Sequence, residues 1–183
     1  MTDLDQILSG CKNNNPKAQQ LLYSRFAYKT MGICLRYCKS RMEAEDVLQE
    51  AFIKIFQKIS EFRGDGSLEG WVKRIVVTTA INYYHANKKR NADANIEDYP
   101  ETAFEQNEAI SNLSSEELLA LVGQLPEGYK MVLNLYAIEG YAHKEIAEML
   151  GISEGTSKSQ LSRARSMLAG FMVKKKAMMY AGR

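Results

Sequence analysis

Residues 143–168 read HKEIAEMLGISEGTSKSQLSRARSML, and their spacing dictates two short helices joined by a tight turn. In the first, Ile146, Ala147, Met149 and Leu150 fall on one side. Gly151 follows at the point where a chain leaving a helix usually passes through the left-handed region. Ser153 can cap the next helix with its hydroxyl, Ile152 can pack across the turn, and Leu161, Ala164, Met167 and Leu168 continue an apolar stripe at helical spacing. Two such helices share a core only by crossing. After Thr156, the second helix then turns Ser157, Lys158, Ser159, Gln160, Ser162, Arg163 and Arg165 outward. A face of donors and cations suits the major groove, where base edges offer acceptors and phosphates flank them. An ordinary amphipathic hairpin with solvated cations has the same periodicity. The glycine turn, the small polar residues opening the second helix and the clustered basic residues together favour a DNA reader.

The rest of the 183 residues bounds what such a reader can be attached to. A hydrophobic content of 45% supports one good core or two small ones. No apolar run approaches the ~20 residues a membrane span requires, and MTDLDQILSG at the start lacks the basic and apolar regions of a signal peptide. The expectation is a cytoplasmic chain without membrane insertion. Cys11, Cys34 and Cys38 are an odd set without paired spacing, and His85 and His143 are the only histidines. Reduced, packed thiols are expected, with no metal and no cofactor.

The net charge of +2 conceals a pattern. Residues 1–90 hold 15 Lys and Arg against 9 Asp and Glu, residues 91–128 hold none against 9, and residues 129–183 hold 9 against 4. A basic, acidic, basic order fits two lobes that meet nucleic acid separately, joined by a connector that avoids or mimics it. Helical periodicity runs through nearly every segment, and the three prolines, Pro16, Pro100 and Pro126, fall at boundaries. The pattern predicts an all-α chain of two small helical domains. Helices are expected near 3–9, 16–38, 41–60 and 67–89 in a first domain, 1–90. An acidic linker, 91–112, leads to helices near 115–124, 126–138, 143–150 and 154–172 in a second domain, 113–175, with a frayed tail at 176–183. Ser40 with Glu43 and Ser114 with Glu117 read as capping boxes.

In the helix opening at Arg41, the residues Ala44, Val47, Leu48, Ala51, Phe52, Ile55 and Ile59 recur every three or four positions and must face a core. Glu45, Asp46, Gln49 and Glu50 do not. They form an acidic ridge in an otherwise basic lobe, since 45 with 49 and 46 with 50 lie one turn apart. A basic protein surface is the natural partner of such a ridge, although acid near a helix N-terminus also benefits the helix itself.

Three stretches, AEDVLQEAF (44–52), the Trp71 and Ile75 pair in GWVKRIVVTTAINYY, and HKEIAEMLGISEGTSKSQLSRAR, together resemble a bacterial extracytoplasmic-function sigma factor of the sigma-70 family. The resemblance covers almost the whole chain, and the order and spacing of the motifs make it specific. It implies a region 2 helical bundle and a region 4 helix-turn-helix. It further implies that Asp46, Gln49 and Glu50, with Glu45 beside them, contact the β′ clamp helices of core RNA polymerase, and that the β flap is a second polymerase contact. The loop FRGDGSLEG, with Arg63, Gly64, Asp65 and Gly66, and the helix from Ser67 to Arg90 would then handle the minus-ten element. Lys73, Arg74, Lys88, Lys89 and Arg90 supply phosphate attraction there, while Asn82, Tyr83 and Tyr84 offer hydrogen bonding and stacking to unpaired bases. Extruding a base costs a few kcal/mol, which one captured base can roughly offset, and glycines let a loop backbone come close. Trp71, Ile75 and Ile81 are expected in the core, and Tyr83 and Tyr84 cannot both be buried.

By the same resemblance Thr156, Lys158, Ser159, Ser162, Arg163 and Arg165 serve the minus-thirty-five element, Arg165 through phosphate or a neighbouring helix. Thr78, His85, Ser157 and Gln160 depart from the family pattern, and the last two are expected to alter base preference more than fold. The implied partners are core RNA polymerase, promoter DNA as duplex and single strand, and an anti-sigma factor. No nucleophile, carboxylate pair, phosphate-binding glycine loop or metal cluster supports an enzyme. The competing readings are a dimeric helix-turn-helix regulator that binds duplex DNA without polymerase and a helical adaptor that binds protein through its acidic ridge. Binding to core enzyme separates the first from the sigma reading, and DNA binding separates the second.

Overall fold

The computed structural model describes residues 3–90 and 115–181, and the chain divides into two compact units, Met1–Ala94 and Asn95–Arg183. Every regular element among the described residues is helical. The acidic segment expected as a linker, 91–112, and the Ser114 end of the second capping box lie outside the described residues.

The first unit consists of α1 (Asp3–Lys12), α2 (Pro16–Tyr37), α3 (Arg41–Lys58), a 3-10 turn (Ile59–Glu61) and α4 (Leu68–Arg90). The joint between α1 and α2 is set by four consecutive demands. A Cβ on Gly10 would lie 2.5 Å from that of Ala18, so α1 rests directly on α2. Asn14 takes the left-handed turn at φ 56, which asparagine tolerates. Asn15 then caps α2, its side-chain oxygen accepting from the amides of Lys17 at 2.9 Å and Ala18 at 3.3 Å. Pro16 follows in the first turn, where its missing N–H costs nothing. At α3 the Ser40 hydroxyl accepts from the Glu43 amide at 3.2 Å. The Glu43 carboxylate reaches back to the amide of Lys39 at 2.8 Å, one residue earlier than a standard capping box.

All seven positions expected to face the core from α3 and its end are buried, Ala44, Val47, Leu48, Ala51, Phe52, Ile55 and Ile59. They meet Leu22, Phe26 and Ile33 of α2 and Val72, Val76, Val77, Ala80 and Ile81 of α4. Each large aliphatic so buried contributes about 1.5–3 kcal/mol. The three cysteines are buried here and form no disulfide, and burial pushes the Cys34 thiol up to about 12.

The second unit holds α5 (Ser115–Gly123), α6 (Glu127–Leu133), a π turn (Asn134–Ile138), α7 (His143–Leu150) and α8 (Glu154–Ala181). Pro126 stands just before α6, at φ −51 and ψ 143, and the last turn of the helix expected to 138 widens into the π turn. The core gathers Leu121, Val122, Leu125, Met131, Val132, Leu135, Ile146, Leu161, Ala164 and Leu168. α8 runs to Ala181 rather than ending near 172 before a frayed tail. Beyond Gly170 no glycine or proline occurs before Gly182, Lys and Met are good helix formers, and Lys175 pairs with Glu117 of α5 at 2.6 Å. Among the described residues no helix is long and apolar enough to cross a membrane.

Candidate nucleic-acid interface

The core positions of α3 all lie on one side, so the opposite side is a free surface built by the same periodicity. Glu45, Asp46, Gln49 and Glu50 are all exposed there. Two of the four are neutralised by neighbours one turn away: Arg41 binds Glu45 at 2.9 Å, and Lys54 binds Glu50 at 2.6 Å. Asp46 has no ion-pair partner among the described residues. The stripe through it is Met42, Asp46, Gln49 and Ile53, with Met42 71% and Ile53 57% exposed. An acid and an amide are thus flanked by two exposed apolar side chains on one face, and the two apolar ends were missed in the sequence. Their spacing of four residues from Asp46 and Gln49 was the available signal.

The loop between the 3-10 turn and α4 is shaped by its glycines. Gly64 lies at φ +87 and Gly66 at φ +111, in the region that side chains with a Cβ avoid, and the Gly66 amide donates to the Gly64 carbonyl at 2.9 Å. Ser67 caps α4 by accepting from the Gly70 amide at 3.0 Å. Arg63, Gly64, Asp65 and Gly66 are all exposed. Beside the loop opens a cavity of about 530 Å³, floored by Phe26, Phe62 and Leu68 and edged by Gly64, Gly66 and Ser67, within the ~300–1,000 Å³ of small-ligand sites. Glu69 bridges Lys73 at 3.2 Å and Lys29 of α2 at 3.4 Å. Its carboxyl is held below the ordinary range, first by the hydrogen bond from Lys73 and then by that from Lys29.

Along α4, Trp71 and Ile75 are half-buried, Thr78 and Asn82 exposed. The expectation that Trp71 and Ile75 belong to the core is therefore corrected. The core line of this helix is Val72, Val76, Thr79 and Ala80, so residues one position earlier are turned ~100° away from it. Trp71 instead leans its ring on Phe62, 5.6 Å between centroids, and Ile81 alone of the three is buried. The outward stripe Trp71, Ile75, Thr78, Asn82 leads away from the loop with Arg74 exposed beside it. Thr78 donates to the Arg74 carbonyl at 2.8 Å. Tyr83 and Tyr84 are both half-buried, Tyr84 lying 5.5 Å from the His85 ring. The loop and Asn82 are ~24 Å apart at 1.5 Å per residue: a track, not a single pocket. The side chains of Lys88, Lys89 and Arg90 lie outside the described residues.

In the second unit Gly151 closes α7 in the left-handed conformation, φ 66 and ψ 36, and the Ile152 amide reaches the Ala147 carbonyl at 3.1 Å. Ser153 caps α8 by accepting from the Thr156 amide at 2.9 Å. The Thr156 hydroxyl is itself drawn into this cap, 2.8 Å from Ser153 Oγ. Lys158, Ser159, Ser162, Arg163 and Arg165 are exposed, as a reading face requires. Ser157 and Gln160, read from the sequence as outward, are not. Ser157 is fully buried, extending the line Leu161, Ala164, Leu168 by one turn, and is joined to His143 Nδ1 at 2.9 Å. Gln160 is half-buried against Gly128, where even a methyl group would meet its amide at 3.4 Å. His143 was missed as a structural residue: it stacks on Tyr136, 4.5 Å and 20°, and the Arg165 guanidinium lies over the same tyrosine ring, 5.7 Å from its centroid. Lys158 pairs with Glu154 at 2.7 Å, which holds the Glu154 carboxyl below its ordinary range.

Residues 22–90 match the family Sigma-70 region 2, and residues 115–168 match Sigma-70, region 4. The chain is 30% identical over 174 residues to the RNA polymerase sigma-H factor of Pseudomonas aeruginosa, covering 89% of this chain and 90% of the relative. It is 32% identical over 176 residues to the ECF RNA polymerase sigma-E factor of Escherichia coli K12, covering 90% and 92%. The fold is shared with CnrH, solved in complex with the cytosolic domain of CnrY (TM-score 0.52, 20% identity, 94% of this chain and 99% of that one). It is shared also with RpoE from Bartonella quintana, solved with the anti-sigma factor NepR (TM-score 0.54, 18% identity, 85% and 96%). A helical bundle with an outward acidic stripe and a capped helix-turn-helix, matched in order by these two regions, place the chain among the extracytoplasmic-function sigma factors of the sigma-70 family, which direct RNA polymerase to promoters.

Proposed function

We propose a division of labour in which each exposed face takes one partner. The stripe Met42, Asp46, Gln49, Ile53, with Glu45 and Glu50 at its sides, docks on the β′ clamp helices of core polymerase. Asp46 supplies the charge and the two apolar residues the buried area. The region 4 unit adds a contact with the β flap through the half-exposed Leu118 and Leu119 of α5. The loop Arg63–Gly66 and its cavity capture a base of the minus-ten element after extrusion. Arg74, Asn82, Tyr83 and Tyr84, with Lys73, then track the separated strand toward Lys88, Lys89 and Arg90 by phosphate attraction and stacking. Lys158, Ser162 and Arg163 of α8 read or grip the minus-thirty-five element from the major groove, beside Ser159, while Thr156 and Arg165 hold the helix in its docking pose.

The observation that carries this reading is the capped crossing of α7 on α8. It buries Ile146, Leu161, Ala164 and Leu168 together and leaves a contiguous basic and hydroxyl face outward. An anti-sigma factor that covers these faces is a further partner, in keeping with the complexes in which CnrH and RpoE were solved. The chain acts in the cytoplasm, where polymerase and promoter meet. Reconstitution with core RNA polymerase and run-off transcription on fragmented genomic DNA tests the assignment. Specific starts that depend on the added chain and vanish with Arg163→Ala are expected. Absence of core binding would sink it.

A further inference from the structure

Arg163 and Arg165 of α8 are two residues apart and stand ~200° apart around the helix, so they leave it on opposite flanks. Each goes to a tyrosine. Arg163 donates to the Tyr129 hydroxyl at 3.5 Å, and the Arg165 guanidinium lies over the Tyr136 ring, 5.7 Å from its centroid. Tyr129 and Tyr136 are seven residues apart, and in an unbroken α-helix they would fall within ~20° of one another. The wider turn at Asn134–Ile138 takes Tyr136 off that line. There it stacks on His143 at 4.5 Å and 20°, and Nδ1 of that histidine is joined to the buried Ser157 hydroxyl at 2.9 Å. Tyr136 is thus held from behind by its stack, while 37% of it stays exposed. Among the described residues no carboxylate takes the charge of Arg165, which leaves it for an anion outside the chain.

We propose that Tyr136 is a positioning residue of promoter recognition. It holds the Arg165 guanidinium out on the flank of α8 that adjoins α7, where Arg165 and Lys158 together grip backbone phosphates. Lys158 lies two turns before Arg165 on that same flank, ~10.5 Å away along the axis. A cation on the flank of a helix in the major groove faces the groove wall, where the phosphates stand, rather than the base edges on its floor. The same arrangement leaves base reading to Arg163 on the other flank. A free arginine gives up several torsions when it binds, whereas one already laid on a ring has given them up in advance. The π turn is what makes this possible, because it carries the ring from the flank of Arg163 to that of Arg165. This inference rests on α8 being the minus-thirty-five reader.

The test uses the full chain assembled with core polymerase on a promoter fragment recovered by run-off transcription, with one neutral methylphosphonate placed at each backbone position of the upstream element in turn. A phosphate gripped by a cation is revealed by the affinity lost on neutralising it, about tenfold for one charge-assisted contact. Wild type is expected to lose affinity at one position that Arg165→Ala ignores and at another that Lys158→Ala ignores. Tyr136→Leu should ignore the Arg165 position while still sensing the Lys158 position, and Tyr136→Phe, which keeps the ring, should sense both. A tyrosine that merely stabilised the fold would weaken binding to every fragment by the same factor and leave the pattern intact. If Tyr136→Leu fails to fold, Tyr136→Met carries the same expectation, since it fills the gap with a flexible apolar chain. Sensing of the Arg165 position by the folded variant, or a wild type with no position that Arg165→Ala ignores, overturns the inference, while the Lys158 position keeps the upstream reading standing. If no methylphosphonate in the element matters to wild type, α8 is not the reader, and the upstream assignment falls together with this inference.

Discussion

Ser157 and Lys158 are adjacent in a recognition helix, yet the structure gives them opposite duties, and alanine at each should fail in a different way. Ser157 is fully buried and bonded to His143 Nδ1 at 2.9 Å. Ser157→Ala removes a hydrogen bond with a net value of about 0.5–1.5 kcal/mol. The ring it abandons stays in place through its stack on Tyr136, so the loss should be near the middle of that range, about 1 kcal/mol. In a unit of this size that lowers the melting temperature by roughly 4–8 °C. Lys158 is 60% exposed in its side chain and paired only with Glu154. Losing an exposed pair of this kind costs about 0.3–0.5 kcal/mol, so Lys158→Ala should melt within roughly 1–4 °C of wild type. On DNA the order reverses. One phosphate contact fewer flattens the slope of log K against log salt by about 0.9, measured by filter binding of reconstituted holoenzyme to a promoter fragment at several KCl concentrations. Ser157→Ala should leave that slope and the promoter preference unchanged once its stability is matched by lower temperature. Altered base preference with an unchanged melting temperature in Ser157→Ala would refute the burial argument, and an unchanged slope in Lys158→Ala would remove it from the interface.

Asp46→Arg combined with Gln49→Ala should weaken binding to core polymerase by at least about tenfold, as loss of a central interface contact does. Both side chains are exposed, so far-ultraviolet circular dichroism should be unchanged, and a collapsed spectrum would mark the stripe as structural. Arg163→Lys keeps a cation but loses the planar fork that binds guanine through two hydrogen bonds. Discrimination at one base pair should fall by about 1–3 kcal/mol in competition transcription, while total DNA binding holds, and loss spread evenly over sequences would make Arg163 a phosphate contact. Gly151→Ala places a Cβ at φ 66 and should cost about 1–2 kcal/mol in urea unfolding; a neutral result would contradict the turn. Burial, and secondly the neighbouring Cys38, push the Cys34 thiol from an ordinary 9.0 to about 12. The folded state therefore keeps a proton that the unfolded chain gives up, so this contribution to stability is complete below pH 9 and is lost as pH rises from 9 toward 12. Urea midpoints should fall across that window, less so in Cys34→Ala, and in native protein at pH 8 the thiol should resist a disulfide reagent.

What could be read from the chain was local, and what could not was the rotation of a helix against a distant neighbour. Gly151, Ser153 and Pro16 each impose a backbone requirement on residues within a turn of themselves, so the helix-turn-helix and the start of α2 were legible from the local sequence. The α3 core was legible because seven apolar residues over-determine one stripe. Ser157 was not, because a lone hydroxyl at the edge of a stripe can face either way. Its inward turn is decided by His143, fourteen residues off, and by the π turn that carries Tyr136 under that ring. Trp71 and Ile75 fail for the converse reason, since apolar residues beside a complete valine and alanine line have no remaining core to enter. That failure is informative. An apolar side chain left half-exposed beside a filled core signals that something else covers it in use, and on α4 that stripe lies next to the loop and cavity where the DNA strand is proposed to run. The same logic applies to Met42 and Ile53 on α3, so the positions where burial contradicts pattern mark both proposed interfaces.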